Sequence, residues 1–228
     1  MQELTKLKSF FTTVASLGWP PLTALICIVS INLMPKPSAL YLWSGMAFVS
    51  FLCNLLKSLY GEDRPYWVND EIIGASCEVT FGNPSGLLMN TVFCWLTIYL
   101  HAFYEVGVIQ PRMSVFCTAY IVKMAGTCIG ISLLIFMGFS RAYLGVGTYN
   151  EVLFGVSLGV TLAIIGHYKI KPLFLSMPES LYNDGAGSQY AVTCTSYFKA
   201  ILLGLVLPCV LSFTVLLMVT DRAFHHSH

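Results

Sequence analysis

Long apolar runs alternate along the chain with short polar islands, and the runs have the length of membrane helices. A helix crossing the hydrocarbon core needs roughly 20 mostly apolar residues. Six stretches come near that length: 20–35, 39–60, 85–106, 113–139, 150–168 and 197–220. They predict an all-α fold, a polytopic bundle of about six transmembrane helices, in one domain over 20–220. The first stretch is short and bounded by prolines. Residues 1–19 carry Lys6 and Lys8 beside an apolar stripe, which suits an interfacial helix better than a span. No charged leader runs into an apolar segment with a small-residue cleavage site, so a removable signal is not expected. Residues 172–196 read as the one long loop, and 221–228 as a polar tail.

Composition agrees with the pattern. Of 228 residues, 56% are hydrophobic and 10% charged, with a mean hydropathy of +0.73. Soluble domains carry about 25% charged residues, so a water-facing surface could not be covered. A formal charge of +1 leaves no basic patch for nucleic acid. Six of the eight cysteines, Cys27, Cys53, Cys94, Cys117, Cys128 and Cys209, lie in apolar runs, where the residue acts as a small hydrophobe. Cys77 and Cys194 fall in loops, and no CxxC pair occurs. His101, His167, His225, His226 and His228 form no metal-ligand spacing, and a solvated cluster is the simpler reading of the tail histidines. Neither metal nor cofactor is expected.

Six spans would put both termini on one side, together with the loop 61–84 and the turn 139–150. Lys36, Arg112, Lys169, Lys171 and Lys199 would lie opposite, and the termini side carries more acids. Positive charge therefore favours the 36/112/170 side as the cytosolic or matrix face.

Three polar islands fall on the termini side. "KSLYGEDRP" holds Lys57 and Arg64, "NPSG" spans 83–86, and "FSRAYLGVGTYNE" holds Arg141 and Glu151. One island alone would pass for an interfacial anchor. Three on one face make a receptor for a phosphate. Arginine offers paired N–H donors, lysine a point charge, and a helix start its free N–H groups and partial positive charge.

Lys57-x6-Arg64-Pro65, then Pro84-Ser85-Gly86, then Ser140-Arg141 resembles the signature KxxxxxxRP, PSGH, SRxxxxxHxxxD of the type 2 phosphatidic acid phosphatase superfamily. That superfamily includes lipid phosphate phosphatases, glucose-6-phosphatase and vanadium haloperoxidases. The resemblance covers about 40 to 170. It implies that Lys57, Arg64, Ser85, Gly86 and Arg141 hold phosphoryl oxygens. It also implies an endomembrane, ER-like location, while the mitochondrial inner membrane stays open.

The departures fall on the reacting groups. Where the family has the histidine that protonates the leaving group, this chain has Leu87. Where it has the histidine that attacks phosphorus, the chain has Gly147, and the acid orienting that nucleophile is Glu151 rather than aspartate. Leucine gives no proton and glycine has nothing to attack with. General acid catalysis alone is worth roughly 10²–10⁴ in rate, and loss of the nucleophile closes the covalent route.

The sequence thus points to a phosphatase-like membrane protein without catalytic residues, acting as a structural or accessory subunit of a membrane assembly. Its neighbours would be membrane lipids and other membrane subunits. The vestigial site would hold a phosphate or an anionic lipid headgroup, unless Asp63, Glu78 or Glu151 balances the cations internally. The alternative is an active lipid- or sugar-phosphate phosphatase with an atypical nucleophile, for which Glu151 is the nearest candidate. A third alternative, a transport or lipid-scrambling role, is neither supported nor excluded by the sequence. Lys123, mid-span, suggests a contact inside the bundle or between subunits. Gly126-xxx-Gly130 and Gly155-xxx-Gly159 suggest close helix packing.

Overall fold

A computed structural model describes residues 2–16, 20–68, 80–105 and 116–172, with scattered positions at 175 and between 210 and 217. The described residues are helical with short connections. The elements are α1 (Gln2–Ser16), α2 (Pro20–Leu33), α3 (Lys36–Tyr60), α4 (Pro65–Val68), α5 (Gly86–Leu100), α6 (Phe116–Tyr143) and α7 (Tyr149–Ile165). The ends of α5 and α7 widen into π turns over His101–Glu105 and Gly166–Ile170.

Four stretches are long and apolar enough to cross a membrane: Pro37–Val68, Gly86–Phe103, Met124–Tyr143 and Tyr149–Ile170. They carry four of the six expected spans. The expected span 20–35 folds instead as the 14-residue α2, about 21 Å at 1.5 Å per residue. That falls short of the roughly 30 Å hydrocarbon core. The loop 172–196, most of the expected span 197–220 and the tail lie outside the described residues. So does the side chain of Lys123, although its backbone lies within α6.

The centre of the bundle is the pair α5 and α7, with α3 packed on α5. Their shared core is Leu42, Val49, Cys53, Met89, Phe93, Cys94 and Ala163, all buried. Gly155 and Gly159 make the α5–α7 contact so close. A Cβ at Gly155 would lie 2.7 Å from the Ser85 carbonyl oxygen, and one at Gly159 would lie 2.8 Å from that of Met89. Small residues let helix backbones approach in this way, as the glycine spacing suggests. Gly126 and Gly130 behave differently. Phe103 is 3.9 Å from a Cβ at Gly126, and among the described residues nothing comes within 4 Å of one at Gly130.

α1 packs along α6, with Phe10 edge-on to Phe136 and Phe11 tilted against Tyr143 at 4.5 Å between centroids. Its Val14 closes a second apolar cluster with Leu88, Met137 and Val152. α2 is tied to α3 by Trp43 Nε1, which donates to the Cys27 carbonyl at 2.8 Å. The outward faces of the bundle are apolar. Ile121, Ile129, Ile131, Ile135 and Phe139 on α6 and Leu153 on α7 are exposed, as a lipid-facing surface requires.

Candidate functional site

The end of α3, the start of α5, the end of α6 and the start of α7 meet at one end of the bundle. This is where the three polar islands lie, and local chemistry fixes each connection. Gly61, at φ +55°, caps α3 in the left-handed region that side chains avoid, and its N–H bonds the Lys57 carbonyl. That turn sends the chain into Arg64. Gly145, at φ +67°, turns the chain out of α6 in the same manner. Thr148 caps α7: its hydroxyl accepts from the Glu151 N–H at 3.3 Å and donates to Glu151 Oε1 at 3.1 Å. Thr148-x-x-Glu151 is a capping box in sequence, and it holds the glutamate side chain at the helix start.

Arg64 is fully buried and joins two of the loops. Its Nε donates to the Thr80 carbonyl at 2.5 Å and Nη1 to the Val146 carbonyl at 2.7 Å. Nη2 donates to Thr80 Oγ1 at 3.2 Å and to the Phe81 carbonyl at 3.4 Å. Lys57 Nζ donates to the same Thr80 hydroxyl at 3.1 Å. Glu62 fixes the neighbouring turn, accepting from Gly82 N at its carbonyl (2.9 Å) and from Asn83 Nδ2 at its carboxylate (2.7 Å).

At the start of α5 the Ser85 N–H donates to the Glu151 carbonyl at 3.1 Å, which locks the NPSG turn to α7. The Ser85 hydroxyl is buried and makes no hydrogen bond among the described residues. Gly86 lies against α3, and a Cβ there would be 2.9 Å from Cys53 Sγ and 3.9 Å from Lys57 Nζ.

Glu151 lies between the loops. A Cβ at Gly82 would lie 2.6 Å from its Oε1, and one at Gly147 would lie 2.8 Å from its Oε2 and 3.9 Å from Arg141 Nε. The carboxylate therefore fills the space between the two glycines, within the electrostatic reach of Arg64 and Arg141. It is fully buried, and Lys57 and Arg141 are nearly so. A carboxylate within reach of two arginines in a low-dielectric setting offsets part of their mutual repulsion. Of the other acids considered for that role, Asp63 is exposed and Glu78 lies outside the described residues.

The structure thus brings together Lys57, Arg64, Ser85, Gly86, Arg141 and Glu151, as the islands predict. Leu87 packs against the apolar cluster of Val14, Leu88, Met137 and Val152. Three participants were not legible in the sequence: Thr80, the shared acceptor of Lys57 and Arg64; Glu62, the brace of the turn; and Gly82, which makes room for Glu151. Thr80 and Gly82 flank the NPSG motif in "TFGNPSG", which is the one local hint.

Chemically the site can hold negative charge. Position 87 supplies an alkyl group, and position 147 supplies only backbone. Among the described residues no group of three or more His, Cys, Asp or Glu side chains could hold a metal ion.

No curated protein and no solved structure shows a match to the chain. The family profile described as PAP2 superfamily matches residues 38–174, more than half of the 228 and the stretch that contains all three islands. On that match the chain belongs to the PAP2 superfamily, as a phosphatase-like integral membrane protein.

Proposed function

We propose that this protein keeps the phosphatase fold without phosphomonoester hydrolysis, and serves as a structural or accessory subunit in its membrane. One observation carries the reading. Position 147, where the family's nucleophile would stand, offers backbone alone, and the Glu151 carboxylate lies 2.8 Å from where a Cβ there would stand. The packing of Leu87 into an apolar cluster supports it from the other side, since no proton donor stands at that position. Without acid and nucleophile, the surviving cations stabilise charge but have no group to deliver.

The test is phosphate release from phosphatidic acid and from glucose 6-phosphate by the purified protein in lipid nanodiscs. Turnover no greater than that of empty nanodiscs is expected. Hydrolysis that disappears on Arg141→Ala would overturn the reading. A second reading draws on one feature of the site. Glu151 Oε2 is buried and hydrogen-bonds nothing among the described residues, so it could attack phosphorus as a carboxylate nucleophile. Hydrolysis lost in both Arg141→Ala and Glu151→Gln would establish that alternative.

The accessory role has its own readout. In mild detergent the protein should leave its native membrane in a particle larger than its own chain and micelle, and migration as a lone chain would count against it. The apolar outward face of α6, including Ile129, Ile131 and Phe139, is the surface available to lipid or to a neighbouring subunit.

A further inference from the structure

We propose that Cys27 and Cys94 are a redox pair, which a hydroperoxide closes into a disulfide that ties α2 to the centre of the bundle. The pair stands apart from the polar islands and does not depend on how their site is read. Taken singly, each cysteine passes for a small hydrophobe, but the fold brings the two together. Cys94, midway along α5, is fully buried in the core cluster, and Cys27, on α2, packs half-buried against that cluster. Both are free thiols, and they meet in a thiol–thiol hydrogen bond. The backbone beneath Cys27 is held in place. Its carbonyl accepts from Trp43 Nε1 of α3 at 2.8 Å and from the Ser30 hydroxyl at 2.5 Å.

The two sulfurs differ in their surroundings. The hydrogen bond from Cys94 holds the Cys27 thiol below its ordinary pKa, although burial pulls the other way. The thiolate is the attacking form, and Cys27 is also the less buried of the two. It is therefore the sulfur that meets the oxidant. Leu25, Ile28 and Val29 on α2 are exposed and apolar, so the approach to Cys27 favours an uncharged oxidant such as a hydroperoxide, ROOH.

The Cys27 sulfur attacks the terminal peroxide oxygen and the O–O bond breaks. The leaving alkoxide takes the proton that Cys27 released and departs as ROH, and Cys27 becomes a sulfenic acid. The Cys94 sulfur then attacks the Cys27 sulfur, and the hydroxyl leaves with the Cys94 proton as water. In sum, two thiols lose two electrons to form one disulfide, and the hydroperoxide gains them to give ROH and water. A disulfide needs the sulfurs closer than a hydrogen bond does. α2, on the outside of the bundle, is the element able to shift. The product closes a loop from residue 27 to residue 94, through α3 and the NPSG turn, and so restrains the unfolded chain.

The test uses the full chain in nanodiscs, reduced and then freed of reductant. Hydrogen peroxide in the buffer is one arm. A phospholipid hydroperoxide in the bilayer is the other, with the matching hydroxy-lipid as blank. Thiols are counted by maleimide mass addition after denaturation, and linked peptides are read by mass spectrometry. The wild-type chain should lose two of its eight thiols and yield a peptide joining Cys27 to Cys94. Cys27→Ala and Cys94→Ala should each form no disulfide. A response in either arm supports the pair, and the arm that responds identifies the source of the peroxide. The oxidised wild-type chain should melt roughly 5–10 °C above the reduced one, and Cys27→Ala should show no such rise.

Survival of all eight thiols in both arms overturns the proposal, and so does a disulfide that joins other cysteines instead. A Cys27–Cys94 bond that leaves the melting temperature unchanged overturns the tether. If Cys94→Ala, at a fully buried position, is not recovered, Cys27→Ala decides alone. None of these readouts depends on phosphate release, so failure here leaves the proposed lack of activity standing.

Discussion

Arg64 and Arg141 lie on the same site, yet the visible chemistry of Arg64 is that of a structural tie. Three backbone carbonyls and one hydroxyl accept from it, at Thr80, Phe81 and Val146. Lysine carries the same charge but has one nitrogen, so it cannot serve acceptors arranged around a planar guanidinium. Arg64→Lys should leave buried carbonyls without donors, each costing about 1–3 kcal/mol. The expected result is a melting temperature well below wild type in nanodiscs, with secondary structure unchanged at low temperature. A variant melting within a degree or so of wild type would show that those bonds add little. The motif spacing revealed which cations gather. It could not reveal their hydrogen bonds, because Arg64 and Val146 are 82 residues apart and the pairing exists only after the helices pack. Glu151 was legible as a helix-start acid, since Thr148-x-x-Glu151 is a local pattern. Its place between Gly82 and Gly147 depends on two separate loops meeting and was not.

Among the helices, the pair α5 and α7 holds the site in register. The Ser85 N–H meets the Glu151 carbonyl at the start of both helices. Below that bond Gly155 and Gly159 bring the backbones together against the Ser85 and Met89 carbonyls. A new methyl at Gly147 would meet the end of a side chain, which can turn away. A new methyl at Gly159 would meet a backbone oxygen at 2.8 Å and Val92 Cβ at 3.0 Å, and neither can move unless the helix moves. Gly159→Ala should therefore cost about 1–3 kcal/mol, the usual range for overpacking. Gly130→Ala, with nothing among the described residues within 4 Å of its Cβ, should cost little. Thermal unfolding of the two variants side by side checks the contrast, and equal losses would contradict the packing described. The spacing GxxxG marks both pairs alike. What separates them is whether another helix backbone lies opposite, and a single sequence does not carry that information.

Hydropathy carried most of the architecture of the whole molecule. The expected spans 39–60, 85–106, 113–139 and 150–168 correspond to helices Lys36–Tyr60, Gly86–Leu100, Phe116–Tyr143 and Tyr149–Ile165. One misjudged boundary is the end of α6. It continues four residues past 139 through Ser140 and Arg141, because the charge there turns into the bundle and is buried. α2, described over 14 residues, is not among the four stretches long enough to cross a membrane, and it packs beside α3. Alternation of the four spans sends opposite ends of the bundle to opposite faces. One end holds Lys57, Arg64, Arg141 and Glu151. The other holds a second buried polar group, with Lys171 Nζ 3.1 Å from His101 Nδ1 and 6.0 Å from the centre of the Tyr41 ring.

Asp63 at the first end and Lys169 at the second are exposed, which makes the arrangement testable by labelling. Asp63→Cys and Lys169→Cys would each be treated, in sealed vesicles with the cytosolic face outward, with a membrane-impermeant thiol reagent. Labelling is read above that of the parent chain, whose own cysteines set the background. Lys169 and Lys171 lie at the second end, whereas Glu62 and Asp63 lie at the first. Short basic loops stay on the cytosolic side. The Lys169→Cys variant should therefore label in intact vesicles, and the Asp63→Cys variant only after detergent opens them. The reverse order would invert the orientation while keeping the fold. Labelling of both from outside would place Asp63 and Lys169 on one face, and then α3, α5, α6 and α7 could not span the bilayer in alternation.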